Sequence, residues 1–100
     1  MRSKAKTLPS DMLQEAAERL KVMAHPVRLN IVHILLQGEF SVHEIAGIVG
    51  ASPNQTCGHL RLLHAHKLLS SERRGRTVYY RVASPCLQDL LECIRKTDGP

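Results

Sequence analysis

A chain of 100 residues, 43% hydrophobic and with only three aromatics, has room for one core built from Leu, Ile, Val and Ala, which excludes two domains and disfavours stacked sheets. No apolar run approaches the roughly 18 residues that cross a bilayer, and MRSKAKTLPS lacks a secretory apolar stretch, so a cytoplasmic protein without membrane contact is expected. The net charge of +5 is concentrated: residues 51–82 hold Arg61, Lys67, Arg73, Arg74, Arg76 and Arg81 against Glu72 alone, an arginine-dominated block of the kind that meets phosphate.

Residues 1–9 are basic and polar and read as a flexible arm. Ser10 offers an N-cap with Asp11 in the first turn, and Met12, Ala16, Leu20 and Met23 follow at helical spacing, so a first helix is expected to about Ala24. Pro26 suits the first turn of a second helix, whose buried face would be Val27, Ile31, Ile34 and Leu35 and whose end would be Gly38. Ser41 and Glu44 have capping-box spacing for a third helix, with Val42, Ile45, Ala46 and Ile48 as its core side and Gly50 as its stop. Ser52 then caps a fourth helix with Pro53 at its first position and Leu60, Leu63 and Thr56 turned inward. Two short helices joined by a glycine-containing turn form a helix-turn-helix.

After Leu68 the period changes to two. In LLSSERRGRTVYYRV, Val78, Tyr80 and Val82 share one face and Thr77, Tyr79 and Arg81 the other, which predicts a hairpin with Gly75 near its tip. Two strands alone are marginal in water, so the hairpin must lean on the helices and project its arginines as a wing. A last helix from about Ser84 to Arg95 carries Leu87, Leu90, Leu91 and Ile94, more apolar surface than a small monomer exposes. The expected fold is mainly α with a two-stranded β wing, a winged helix-turn-helix over residues 10–96 that dimerises through its N- and C-terminal helices, followed by a tail at 97–100.

The segments LKVMAHPVRLNIVHILL and HLRLLHAHKLLSSERRGRTVYYRV resemble the arsenic-repressor (ArsR/SmtB) family of bacterial winged-helix regulators across residues 13–95. The resemblance implies a homodimer that binds an imperfect palindrome in double-stranded DNA at a promoter and is released by a small inducer, often a metal ion. Two-fold symmetry would set two recognition helices about one DNA turn apart. By the same resemblance, Ser52, Arg61, Arg73, Arg74 and Arg76 would contact phosphates, Asn54, Gln55 and their neighbours would read base edges, and Cys57, Gly58 and His59 would complete the DNA-binding set. The chain departs from the family's pattern at Pro53, Cys57 and Gly58. A glycine inside a helix costs about 1 kcal/mol relative to alanine, so either DNA approaches the backbone closely at Gly58 or the helix tolerates it.

Sensor residues are harder to place. The family's thiolate site at the start of its third helix here reads Ser41, Val42, His43, leaving His43 as one remaining donor, and its other site reads Ser84 and Cys86 with no histidine after residue 66. Cys57, His59, His64 and His66 do not converge: at 100° per residue Cys57 and His64 share one side and His59 and His66 another. Residues seven apart also lie about 10.5 Å apart along the axis, too far for one ion. His64 and His66 therefore read as surface residues, and His59 as a half-buried packing or phosphate-contacting group. Three cysteines without close pairing indicate reduced thiols. Cys86 and Cys93 share a face of the last helix, either as buried small hydrophobes or as a sensor of oxidant, sulfur species or a soft metal or metalloid ion; Cys57, on the side expected to face DNA, is the other sensor candidate. No cofactor is fixed by the sequence. The alternatives are a winged-helix protein-interaction module, against which the arginine wing argues, and a DNA-binding regulator with no inducer site. No acidic pair, activated nucleophile or phosphate-cradling loop points to an enzyme.

Overall fold

Serine side chains that satisfy the first N–H groups set the start of two of the helices. A computed structural model describes residues 4–98; the first residues of the expected arm and the last two of the expected tail lie outside them. Helix α3 (Val42–Val49) opens on a capping box in which Ser41 Oγ accepts the Glu44 N–H at 3.2 Å and Glu44 Oε1 accepts the Ser41 N–H at 2.8 Å. The same device, Ser52 with Gln55, opens α4 (Pro53–Ala65). Helix α2 (Pro26–Leu35) starts on Pro26 as expected, and its cap is His25, whose Nδ1 accepts the Val27 N–H at 3.1 Å. Helix α1 (Ser10–Met23) departs from expectation. Ser10 is its first helical residue, the capping position falls to Pro9, which supplies no side-chain bond, and Asp11 Oδ1 accepts the Met12 N–H at 3.0 Å instead.

Two of the helices end at a left-handed residue. Gly50 stops α3 in the left-handed region at φ 74°, where its N–H donates to the Ala46 carbonyl at 2.9 Å. After α4 the left-handed residue is Lys67, at φ 63°. Its N–H donates to His64 O at 2.9 Å and the next N–H, of Leu68, donates to Leu63 O at 3.0 Å, a Schellman stop without glycine.

The wing is the hairpin β2 (Leu69–Arg74) and β3 (Thr77–Val82), closed by the two-residue turn Gly75–Arg76 with Gly75 at φ 65°. A third strand joins it. The two residues of β1 (Phe40–Ser41) pair antiparallel with Tyr80 and Tyr79, giving the sheet order β1-β3-β2. Two residues are too few to show alternation, so periodicity could not reveal this strand.

The core gathers Ile31 and Val32 of α2, Ile45 of α3, Leu60 and Leu63 of α4, then Leu68, Leu69 and Tyr80 of the wing base and Leu87 of α5 (Cys86–Asp98). Ile48, expected on the core side of α3, is 56% exposed. Val42, Ile45, Ala46 and Val49 occupy an arc of about 100°, and Ile48 lies about 110° from its centre. Helix α5 starts two residues after Ser84 and runs past the expected boundary at residue 96. In α1 every residue from Ser10 to Lys21 is exposed, including Met12, Ala16 and Leu20 of the helically spaced apolar set; only Val22 and Met23 are buried. Among the described residues no helix is long and apolar enough to cross a membrane.

Candidate nucleic-acid interface

Helix α4 has three distinct sides. Thr56, Leu60 and Leu63 are fully buried, which turns Asn54, Gly58 and Arg61 outward along the opposite ridge with Ser52 and Gln55 beside them, all exposed. A Cβ built on Gly58 would meet nothing within 4 Å, so no packing within the chain calls for a glycine there. Gln55 has its amide oxygen committed to the cap, which leaves its NH2 group free to donate outward. The buried Thr56 Oγ1 finds no hydrogen-bond partner among the described residues.

One flank of α4 meets α2. Arg28 Nε donates to His59 Nδ1 at 3.2 Å, Arg28 Nη1 donates to Val22 O at 3.3 Å, and the His25 ring lies 4.9 Å from that of His59. Burial, then the charges of His25 and Arg28, hold the His59 imidazole below its usual acidity range. The other flank meets the wing. There His64 Nε2 lies 3.4 Å from Ser71 Oγ and its ring stands edge-on to Tyr80 with centroids 6.4 Å apart. Cys57 shares this flank and is half-buried; burial first, then the Cys57 thiol, push the Tyr80 phenol up, with Arg61 opposing. Cys57, expected on the outward side, thus sits against the wing and off the outer ridge.

Strand pairing sorts the wing arginines. Partners across β2 and β3 share a face, and the pairs Leu69/Val82, Ser71/Tyr80 and Arg73/Val78 form the face turned to α4. Arg73 therefore extends the α4 side of the wing towards its tip, where its Nε donates to Gly75 O at 3.2 Å, and Arg76 is exposed in the turn. The pairs Ser70/Arg81, Glu72/Tyr79 and Arg74/Thr77 form the outer face. Arg74, expected at phosphate, is engaged there within the protein: Nη2 donates to Glu39 Oε1 and to Glu72 Oε1, both at 2.8 Å, and the guanidinium lies 4.7 Å over the Tyr79 ring. These bonds hold Arg74 more firmly protonated than usual and pull the Glu72 carboxyl below the carboxylate range.

Sensor candidates are spread out. Cys86 and Cys93 are both exposed on α5, so packing within the chain does not bury them as small hydrophobes. His43 is exposed on α3, His66 Nδ1 lies 3.1 Å from the Leu62 carbonyl, and Ser84 accepts the Leu87 N–H at 3.2 Å through its carbonyl. No three His, Cys, Asp or Glu residues come close enough to hold a metal ion among the described residues. Residue-level reading overlooked His25, Arg28 and Glu39. Pro26 at the first helical position does mark His25 as a cap, whereas Arg28 meets His59 and Glu39 meets Arg74 only through the tertiary fold.

A recognition-type helix presented by a helix-turn-helix, with a basic hairpin beside it, defines the class: a winged helix-turn-helix protein. No family model matches the chain. It is 36% identical over 75 residues to the HTH-type transcriptional repressor SmtB of Mycobacterium tuberculosis, a match covering 75% of this chain and 56% of that repressor's length. It is 34% identical over 84 residues to the nodulation protein NolR of Rhizobium meliloti, covering 84% of this chain and 69% of NolR. The solution structure of Mb0332 from Mycobacterium bovis, a homodimeric winged helix-turn-helix DNA-binding domain, superposes with a TM-score of 0.80 at 26% identity over 96% of this chain and 89% of that one. The chain belongs to the ArsR/SmtB family of winged helix-turn-helix transcriptional regulators.

Proposed function

We propose that the chain is a homodimeric repressor that binds a palindromic operator in double-stranded DNA and is released by a thiol-directed signal. The observation that carries the DNA-binding part is the placement of Asn54, Gly58 and Arg61 on the outward ridge of α4, with Arg73 and Arg76 at the tip of the wing whose α4-side face packs against the same helix. In this reading Asn54 and Gln55 meet base edges in the major groove, and Ser52, Arg61, Arg73 and Arg76 meet phosphates. Gly58 lets the DNA approach the helix backbone. His59 and Cys57 support the helix from its two flanks.

The exposed apolar residues of α1 (Met12, Leu13, Leu20) and α5 (Ile94) supply the dimer interface, in keeping with the homodimeric Mb0332 domain. Cys86 and Cys93 lie beside that apolar stripe on α5, where an oxidant, a reactive sulfur species or a soft metalloid ion acting on them would change how two copies pack. Selection of bound fragments from random duplexes should return a palindrome. The complex should then dissociate on adding arsenite, zinc or peroxide, and the Cys86→Ser/Cys93→Ser protein should stay bound under the same additions. Recovery of no enriched sequence refutes the operator assignment, and equal release of the double variant refutes the thiol assignment.

A further inference from the structure

Glu39 lies outside the arginine block and belongs to no part of the reading above. It precedes β1, yet its two oxygens face two wing arginines: Oε1 accepts from Arg74 Nη2 at 2.8 Å, and Oε2 lies 3.6 Å from Arg81 Nη1. Arg81 sits at the base of the wing, opposite Ser70, and its Nε donates to Ser70 Oγ at 3.2 Å, so it anchors the far side of the Glu39 carboxylate. Arg74 sits near the tip, beside the turn, with Glu72 on its other side and Tyr79 beneath it. Two carboxylates thus balance two guanidiniums on the outer face. By contrast Arg61, Arg73 and Arg76 form no ion pair among the described residues.

We propose that Glu39, with Glu72, is a positioning residue that holds Arg74 off DNA and so limits the wing's phosphate footprint to Arg73 and Arg76. The proposal rests on the DNA-binding reading. A single exposed ion pair is weak, but Arg74 has two carboxylates and an aromatic face to leave before it can reach a phosphate. Phosphate contacts strengthen binding to operator and random DNA alike, so withholding one raises the share of affinity carried by base-reading side chains. Charge counted along the sequence overstates the footprint, because the neutralising carboxylate Glu39 lies 35 residues before its partner.

The salt dependence of affinity for a random duplex tests this, since each phosphate contact adds about 0.9 to the slope of log K against log salt. The intact chain is compared with Glu39→Gln/Glu72→Gln, with Arg74→Ala, and with the variant carrying all three changes. Release of Arg74 in the double variant should steepen the slope by about one per chain. Arg74→Ala alone should leave the slope unchanged, and in its background the Gln changes should not steepen it. A shallower slope in Arg74→Ala, or equal steepening in the triple variant, overturns the proposal, because either result means that Glu39 does not withhold Arg74. If the double variant fails to fold by circular dichroism, Arg74→Ala decides alone. An unaltered chain that shows no salt-dependent binding to any duplex refutes the DNA-binding reading itself, a result distinct from both.

Discussion

Arg28 ties three helices together through two hydrogen bonds, one to the last turn of α1 at Val22 and one to His59 on α4. Because His59 Nδ1 accepts from Arg28, the neutral ring carries its proton on Nε2, and a second proton would both remove the acceptor and place a cation beside the guanidinium. The fold therefore favours neutral His59, whose pKa lies below the ordinary imidazole value. The sign follows by linkage. This contribution is fully present above the unfolded-state pKa of about 6.5 and is lost as pH falls from there through the depressed native value. The urea midpoint should thus drop on acidification below about pH 6.5, and the drop should be smaller in His59→Gln. An identical drop in the variant would show that His59 is not responsible. The pairing was not legible along the chain, where Arg28 and His59 stand 31 residues apart, although His59 by itself reads as a half-buried packing or phosphate-contacting group.

Helix α4 shows a local rule and an exception to it side by side. Ser52 and Pro53 are what a helix start requires, and that start was readable residue by residue because capping is settled within four positions; the share of Gln55 in the cap emerged only in the structure. Gly58 breaks the pattern in a place where a side chain would fit freely. Gly58→Ala should raise stability by about 0.5–1 kcal/mol, seen as a higher urea midpoint at unchanged m-value. On the proposed reading, in which Gly58 lets DNA approach the helix backbone, the same change should weaken operator binding on the order of tenfold, or about 1.4 kcal/mol. A variant that is more stable and binds equally well would mean the glycine is merely tolerated. Elsewhere in the helix-turn-helix, Ile45 and Ala46 followed the helical period, whereas Ile48 looked like core only because a short apolar helix offers more hydrophobic positions than one face can bury.

At the scale of the whole molecule the chain is extended. Its radius of gyration is 16.1 Å against about 13 Å for a compact domain of this size, and α1 leaves its outer turns unpacked. Excess apolar surface on the last helix was apparent from spacing alone, since burial demand is a property of sequence even where the partner surface is not. Stability should therefore depend on protein concentration, with the thermal midpoint rising on tenfold concentration. Leu20→Asp should abolish that dependence and shift sedimentation to the monomer; a dimer that survives the substitution would place the interface elsewhere. The strand β1 bears on how such a dimer could switch. Its two residues are neighbours of β3 and the second, Ser41, is also the cap of α3, so the backbone that starts the helix-turn-helix is paired with the wing. The wing is consequently a cantilever fixed to the reading head at its root, and neither can be re-aimed without the other. Release from an operator would then work like a pair of callipers, by changing the gap between two stiff heads.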